Sequence, residues 1–310
     1  MPARNRTCAG RSLLSVIHRL LLDVSSLMYR AYFAIGDSIT APDGRPVGAV
    51  HGYLDMAERL ARRRAPDEII HCYDHEWRPV VRTDIYAGYK AARPEEPEAL
   101  AAQFEMLRTV LGLAGQEQAQ TPGWEAEDAI AALCAQIAAG DRIEMVSGDR
   151  DLIQLVRDPE VKLLYTIRGV SDLAEFDEAA VIEKYGVPSS RYAEFAILRG
   201  DPSDGLPGVQ GVGEKTAQAL VQTYPSLDAM LEDAARDEPV TPGPLGKPAL
   251  RARLRESADY IAAMERLVPV NADAELDRWT GERDDETLKM VCDDLGLSGP
   301  TKRLLRAMGL

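Results

Sequence analysis

Short hydrophobic runs alternate with amphipathic segments over roughly the first 170 residues of the chain. Runs of apolar residues predict four buried β-strands, at residues 15–24, 68–74, 142–147 and 161–166. Segments 47–64 and 98–113 instead repeat apolar residues at the helical period and predict helices. This alternation is typical of an α/β fold with a mostly parallel central sheet covered by helices. Beyond this region the pattern predicts almost only helices.

Three of the predicted strands close on an aspartate, namely Asp23, Asp74 and Asp149. In parallel sheets, ligands bind beyond the carboxyl ends of the strands, so we expect these carboxylates to converge. Each aspartate alone is more often a turn former or a helix cap. Their occurrence at corresponding ends of three strands favours one common site.

Further acids lie in turns and at helix starts and extend the candidate set to nine: Glu125, Glu127, Asp128, Asp151, Asp201 and Asp204. Acids at a helix start also complement the helix dipole, and the others can shape turns. Helical spacing places Glu125 and Asp128 on one face and turns Glu127 elsewhere unless the turn is distorted. Nine carboxylates in one cleft repel each other without cations, and Mg²⁺ or Mn²⁺ prefer such oxygen ligands. Two such ions, about 3.5–4 Å apart, stabilise the attacking and leaving oxygens in phosphodiester hydrolysis.

A glycine-rich hairpin lies beside the last acid pair and opens into a helix. It contains Gly208, Gly211 and Gly213, and Lys215 and Thr216 fall in the first helical turn. Glycine allows backbone N–H groups to approach a ligand closely, and a helix N-terminus favours anions. The expected ligand of this segment is a phosphate.

The net charge of −14 over 310 residues argues by itself against a nucleic-acid partner. Bound cations would offset that charge, and basic residues cluster locally at 59–64, 78–93 and 251–255. The four cysteines lack metal-ligand spacing and indicate a reducing compartment. The apolar run at 13–24 is too short to span a membrane. We therefore expect a soluble, cytoplasmic protein.

Five stretches in this order resemble the 5′-nuclease family, which includes flap endonucleases and the N-terminal nuclease domain of bacterial DNA polymerase I. They are LLLDVSSLMYRAY, YKAAR, GWEAED, SGDRDL and GDPSDGLPGVQGVGEKTA, and the resemblance runs from about residue 20 to 277. It is closest to the bacterial branch and predicts a stand-alone nuclease. The resemblance implies a PIN-like α/β core, a helical arch and a helix-three-turn-helix region.

The implied activity is structure-specific cutting of DNA near a 5′ end or flap, in DNA replication or repair, with two divalent metal ions. The acids matching the first metal are Asp23, Asp74, Glu125, Glu127 and Asp128. Those matching the second are Asp149, Asp151, Asp201 and Asp204. Lys90 and Arg93 match the catalytic basic pair of the arch, which holds the scissile phosphate.

The resemblance also implies DNA contacts. Tyr29 matches an aromatic residue that stacks on an unpaired base; the alternative is a core tyrosine. Arg30 and Arg82 match phosphate contacts. In the hairpin, the residues that would grip duplex phosphates, together with a K⁺ ion, are Gly211, Gly213, Lys215 and Thr216.

The expected organisation is a disordered extension at 1–14, a catalytic core at 15–186 with its arch at about 78–113, and a helical DNA-binding region at 187–310. The expected state is a monomer. Two alternatives are a nuclease-inactive DNA-binding protein that keeps only the hairpin, and a ribonuclease with a similar acidic sheet. The complete acid set argues against the first, and the chain length and the hairpin argue against the second.

Overall fold

The computed structural model describes residues 16–310, so the predicted disordered extension at 1–14 lies outside the described residues. Seven strands form one sheet: β1 His18–Asp23, β2 Glu68–Tyr73, β3 Glu117–Gln120, β4 Arg142–Ser147, β5 Val161–Arg168, β6 Asp172–Phe176 and β7 Asp277–Thr280. Their spatial order is β6-β5-β4-β1-β2-β3-β7.

Thirteen α-helices accompany the sheet in residues 16–310. The first five are α1 Val24–Ile35, α2 Gly48–Arg64, α3 Val80–Ile85, α4 Glu98–Leu113 and α5 Ala126–Ala135. Five more follow as α6 Glu178–Tyr185, α7 Tyr192–Arg199, α8 Glu214–Thr223, α9 Leu227–Ala234 and α10 Pro248–Glu256. The last three are α11 Ala258–Leu267, α12 Asp285–Asp294 and α13 Ser298–Ala307.

The centre of the sheet is parallel and only its edges are antiparallel. Strand β1 pairs in parallel with β2 and β4, and these pair in parallel with β3 and β5. Strands β6 and β7 close the two edges in the antiparallel sense. The predicted α/β fold with a mostly parallel, helix-covered sheet is confirmed.

The two faces of the sheet are buried under two separate helical layers. Along β1, Leu20 and Leu22 pack into the cluster formed with α1, α2, α4, α12 and α13, whereas Leu21 packs into the cluster on the opposite face. Successive strand residues point to opposite faces, so a strand covered on both sides must be apolar throughout. This explains why the apolar runs identified the central strands.

The structure corrects the expectation that residues beyond 170 are almost only helical. Strands β6 and β7 lie in that region, and β7 pairs with β3, which was also missed. All three are short and rich in polar residues, because an edge strand or its neighbour need not be apolar on both faces. The last helix, α13, packs against α2, so the C-terminal residues return to the α/β core.

The predicted arch at about 78–113 includes helix α4, which packs against the core. Leu100, Leu107 and Val110 of α4 are completely buried in the helical layer over the sheet. Because its apolar side is already covered, α4 belongs to the core. The segment between β2 and α4 is the part that borders the site, and we call residues 78–97 the basic segment.

Candidate active site

The acids predicted at the strand ends line one cavity of about 1290 Å³ at the carboxyl edge of the sheet. Asp23 closes β1, Asp74 follows β2, and Asp149 follows β4. Glu125 and Glu127, at the start of α5, complete the acidic lining. Strands β1, β2 and β4 are parallel neighbours, so their carboxyl ends necessarily meet at this edge.

Local hydrogen bonds fix the strand-end acids in place. Asp23 caps α1 by accepting from the Ser26 N–H at 2.9 Å, and its other oxygen accepts from the Ser147 hydroxyl at 2.5 Å. The same Ser147 oxygen accepts from the Asp149 N–H at 2.9 Å. Asp74 accepts from the Ala126 N–H at 2.7 Å. The acids therefore serve as caps and still present oxygens to the cavity.

Glu127, Asp149 and Asp151 form the closest acidic group in the described part of the chain. One oxygen from each lies within 4.8 Å of the others. The Asp149 carboxylate accepts from the Asp151 N–H at 2.9 Å, which holds the turn after β4. Glu127 faces the turn after β4 from the first turn of α5, so this predicted metal ligand lies among the acids although regular helical spacing turns it away from Glu125 and Asp128.

Asp128 lies behind the cavity. Its Oδ2 accepts from the Glu125 N–H at 3.1 Å, and its Oδ1 accepts from the Asn271 N–H at 2.8 Å. Glu125 and Asp128 form a reciprocal capping box at the start of α5. Backbone amides hold Asp128 through both of its oxygens, as hydrogen bonds also hold Asp23, and the role of Asp128 as a direct metal ligand stays a prediction.

Asp201 and Asp204 approach the acids from the loop before the hairpin. Asp201 caps a short turn by accepting from the Ser203 N–H at 2.9 Å, and it does not line the cavity. Its charge, with those of Asp149 and Asp204, raises the pKa of Asp151, although burial is the larger cause. Asp204 is buried and accepts from Arg93 at 2.6 Å.

Burial and mutual repulsion make most of these carboxyls reluctant to ionise. Burial raises the pKa of Asp23 to about 7, with added repulsion from Asp74 and Asp149. Burial likewise raises the pKa of Asp204 to about 6, although Lys90 opposes the shift. The pKa values of three further acids are raised by burial and by neighbouring acids: Asp74, Glu127 and Asp151. Bound cations would stabilise the ionised form of these carboxyls and relieve the excess of negative charge.

Glu125 is the exception among these acids, because its pKa is lowered and not raised. Burial acts against its ionisation, but the charges of Lys90 and Arg82 outweigh burial and lower its pKa. The Tyr89 hydroxyl adds a hydrogen bond to Glu125 of 2.6 Å. Glu125 is therefore the acid that binds the basic segment to the acid centre.

The predicted catalytic pair lies on the basic segment and faces the acids. Lys90 is only 4 % exposed and forms an ion pair with Glu125, while Arg93 pairs with Asp204. Lys90 has a φ of 51°, which is unusual for a side chain other than glycine. Its N–H donates to the Asp204 carbonyl at 2.8 Å. A Cβ at Gly205 would lie 2.4 Å from the Gly88 carbonyl, so glycine allows this close docking.

Arg82 does not reach the surface, which corrects its prediction as a phosphate contact. The side chain is 1 % exposed and forms ion pairs with Glu125, Glu127 and Asp128. A guanidinium is always charged and needs buried carboxylates around it when it is removed from water. Arg82 is thus an internal counter-ion of the acid centre.

Tyr29 borders the cavity and is half-buried, and it also packs against the helical layer of the core. Its ring stacks on Trp77 with centroids 5.2 Å apart, and its hydroxyl donates to Glu96 at 3.2 Å. Phe33, 74 % exposed, lies 6.2 Å away on the same helix. Arg30 also lines the cavity and donates to the Ile167 carbonyl at 3.3 Å.

The hairpin residues stand apart from the cavity lining. Gly211, Gly213 and Lys215 are exposed, and Thr216 is half-buried in the first turn of α8. Gly211 has a φ of 74°, and a Cβ there would lie 2.1 Å from the Arg253 guanidinium. A Cβ at Gly213 would meet nothing within 4 Å, so the space beside it is open.

The donor set fits hard divalent cations. It offers only carboxylate oxygens in close array, and among the described residues the cations that form ion pairs with these acids are Lys90, Arg82 and Arg93. Sequence analysis missed three residues that complete the site: Ser147, Trp77 and Tyr89. A polar Ser147 ending an apolar strand was the available signal, whereas the roles of Trp77 and Tyr89 depend on tertiary contacts.

Comparison with protein families divides the chain into two matched regions. Residues 18–186 match the model of the 5′-3′ exonuclease N-terminal resolvase-like domain. Residues 187–286 match the model of the 5′-3′ exonuclease C-terminal SAM fold.

Within residues 16–310, no helix combines the length and the apolar character needed to cross a membrane.

Bacterial relatives are similar over most of the chain. A 5′-3′ exonuclease of Streptomyces coelicolor is 41 % identical over 306 residues, which cover 93 % of this chain and 99 % of the relative. A 5′-3′ exonuclease of Mycobacterium tuberculosis is 42 % identical over 273 residues, covering 82 % and 84 %.

A solved structure has the same fold at low identity. The bacteriophage T5 flap endonuclease, in a pseudo-enzyme-product complex with DNA and metal ions, aligns with a TM-score of 0.61 and 18 % identity. The alignment covers 94 % of this chain and all of the other. The family resemblance seen in the sequence is confirmed, and the chain belongs to the 5′-3′ exonuclease family of nucleases.

Proposed function

We propose that this nuclease cuts DNA at 5′ ends and 5′ flaps by a mechanism that uses two divalent metal ions, Mg²⁺ or Mn²⁺. The observation that carries the proposal is the convergence of acids from β1, β2, α5 and the turn after β4 in one cavity. Glu127, Asp149 and Asp151 already offer closely spaced oxygens there. The T5 relative of the same fold is named a flap endonuclease and was solved with DNA and metal ions.

The acids divide into two ligand groups. Asp23, Asp74 and Glu125, with Glu127, line the cavity on the side of β1, β2 and α5. Asp149 and Asp151 lie after β4, and Asp201 and Asp204 approach from the loop before the hairpin. We assign one ion to each group and give Asp128 a supporting role. Bound ions supply an activated water and neutralise charge on the phosphate oxygens.

Lys90 and Arg93 bind the phosphate that is cut. Both cations sit on the cavity wall, and each is held by a carboxylate of the acid centre. A phosphate that enters the cavity competes for these cations, while metal ions compete for Glu125 and Asp204. Preorganised cations stabilise charge that develops on the phosphate during the reaction.

Tyr29 and the hairpin position the DNA. The Tyr29 ring stands at the cavity edge, where an unpaired base can stack on it, and Arg30 lies nearby. The exposed hairpin with Gly211, Gly213 and Lys215 faces open space and suits the backbone of a duplex. A K⁺ ion bound by hairpin carbonyls would add a further contact to the phosphates of the duplex.

We further propose that the protein works as a cytoplasmic monomer in DNA replication or repair. Cys72, Cys134 and Cys292 are free and buried, which suits a reducing compartment.

The test is cleavage of a 5′-flap DNA in Mg²⁺, beside the same flap made of RNA. Asp149→Asn should abolish cutting and keep flap binding, whereas Asp228→Asn, an exposed acid of α9, should leave both intact. Wild-type protein that binds the DNA flap without cutting it would support the inactive DNA-binding alternative. Cutting of the RNA flap alone would support the ribonuclease.

A further inference from the structure

A second cavity, of about 240 Å³, lies beside the acid centre and has the opposite charge. Its walls are formed by Arg150, Tyr165, Lys184, Tyr185, Arg199 and Glu214. Three cations face a single carboxylate there, in a protein whose net charge is −14. Such a concentration of positive charge in an acidic protein marks a place for an anion.

The three cations have no carboxylate partner at ion-pair distance in the described residues 16–310. The interaction with the Tyr165 hydroxyl raises the pKa of Arg150. The Lys184 ammonium lies 4.9 Å from the Phe176 ring centroid and 5.4 Å from that of Tyr185. Aromatic rings position a cation without neutralising it, so its charge remains available to a ligand.

Arg199 is held in the same manner. Its guanidinium lies 5.2 Å from the Phe195 ring centroid, and its Nε donates to the Gly200 carbonyl at 3.2 Å. Within the part of the chain that the structure describes, the terminal nitrogens of Arg199 have no hydrogen-bond acceptor, so they are left for a ligand. Glu214 lines the cavity without forming an ion pair with any of the three cations, so the local balance stays positive.

The location of this cavity connects two parts of the proposed DNA path. Arg150 lies between Asp149 and Asp151 in the sequence, and Tyr165 is the cross-strand neighbour of Ser147, which bonds to Asp23. On the opposite side, Glu214 is the first residue of α8 and directly follows the hairpin. The cavity therefore occupies the interval between the acid centre and the hairpin.

We propose that this cavity binds one phosphate group. Guanidinium forks and an ammonium are the side-chain groups that bind phosphate best, and the two tyrosine hydroxyls can add hydrogen bonds. The phosphate comes from the strand that runs between hairpin and acid centre, or it is free phosphate or a 5′-mononucleotide. The first source rests on the proposed function, and the second does not.

The test uses the full chain in EDTA, where no cutting occurs. Binding of a blunt duplex is measured over a range of salt concentrations for wild type, Lys184→Ala and Arg199→Ala. The control is Lys302→Ala, an exposed lysine on α13. Each cavity variant should bind roughly three- to tenfold more weakly, and the slope of log K against log salt should fall by about 0.9 for each DNA phosphate that is no longer neutralised. The control should match wild type.

A second arm titrates inorganic phosphate and a 5′-mononucleotide into the same proteins and follows binding by calorimetry. Normal duplex slopes in the cavity variants, together with loss of phosphate or mononucleotide binding, would identify a free phosphate as the ligand. Unchanged slopes and unchanged phosphate binding would overturn the proposal. That outcome would leave Mg²⁺-dependent flap cutting intact, so the two proposals fail separately.

Discussion

Arg93 and Asp204 are 111 residues apart in the sequence, yet Nη2 of Arg93 donates to Oδ1 of Asp204 at 2.6 Å. The Asp204 carbonyl also accepts from the Lys90 N–H at 2.8 Å. One acid thus anchors both catalytic candidates through its side chain and its backbone. The basic segment is folded down on the acids, and DNA and metal ions must exchange with these internal ion pairs.

Lys90→Ala should slow flap cutting by roughly a hundredfold or more, because a preorganised charge aimed at the reacting phosphate is removed. Duplex binding in EDTA should change by less than about threefold, because Lys90 is buried and the duplex is expected to bind at the exposed hairpin. Single-turnover cleavage and equilibrium binding measure the two effects. Equal losses in both assays would count against the assignment, and Lys302→Ala serves as the control for a lysine on the surface.

Gly213→Val should have the opposite effect. A Cβ at Gly213 meets nothing within 4 Å, so the fold tolerates the change, but the side chain fills space that a duplex backbone would occupy. Duplex affinity should fall about tenfold, with little change in thermal stability. Gly246→Val is a matched control, since its Cβ also meets nothing within 4 Å and it lies outside the hairpin. Unchanged affinity in Gly213→Val would remove the hairpin from the duplex path.

Arg82→Met tests whether Arg82 is an internal counter-ion of the acid centre. Loss of the guanidinium leaves Glu125, Glu127 and Asp128 without their main counter-ion, so the free energy of unfolding in EDTA should fall by about 3–5 kcal/mol. Mg²⁺ should restore part of that loss by replacing the missing charge.

The salt dependence of duplex binding should be unchanged in Arg82→Met, because a buried arginine contacts no DNA phosphate. Urea unfolding with and without Mg²⁺, together with binding titrations, measures these effects. A slope that falls by about 0.9 would reinstate Arg82 as a phosphate contact.

Asp23 should make the metal-free protein less stable as the pH rises. Its pKa is raised from 3.8 to about 7 in the folded state, so the folded protein binds a proton more tightly than the unfolded chain. Stability is therefore lost as the pH increases from about 4 to about 7, and the loss is complete above that range.

Asp23→Asn keeps the helix cap and removes this titration. In EDTA the variant should match wild type near pH 4 and exceed its free energy of unfolding at pH 8, by an amount on the order of 1–4 kcal/mol. Urea unfolding across this range measures the difference, with Asp228→Asn as the control. A variant that is less stable than wild type at pH 8 would contradict the assigned shift.

Much of the fold follows from the sequence for a physical reason. The central strands are buried on both faces, so they must be apolar throughout, and β4 was predicted over the same residues that the structure shows. The edge strands and β3, the neighbour of edge strand β7, lack that requirement, and the polar sequence Glu117–Gln120 of β3 gives no strand signal. The pairing of β7 with β3 joins residues far apart in the chain, which local patterns do not encode.

The site was predictable in position but less so in detail. The strand ends determine where Asp23, Asp74 and Asp149 meet, because the carboxyl ends of neighbouring parallel strands lie at the same edge of the sheet. Helical spacing alone does not reveal that backbone amides occupy both Asp128 oxygens, or that Arg82 turns inward. Those outcomes depend on Asn271 and on the depth of the acid centre, which are tertiary properties.

The most direct test of the central claim is the number of divalent ions that the acid centre binds. Mn²⁺ binding to the full chain, followed by electron paramagnetic resonance, should give two ions per wild-type molecule and one or fewer in an Asp149→Asn, Asp151→Asn double variant. Asp228→Asn should keep both ions. Wild-type protein that binds no Mn²⁺, or a double variant that still binds two ions, would contradict the account.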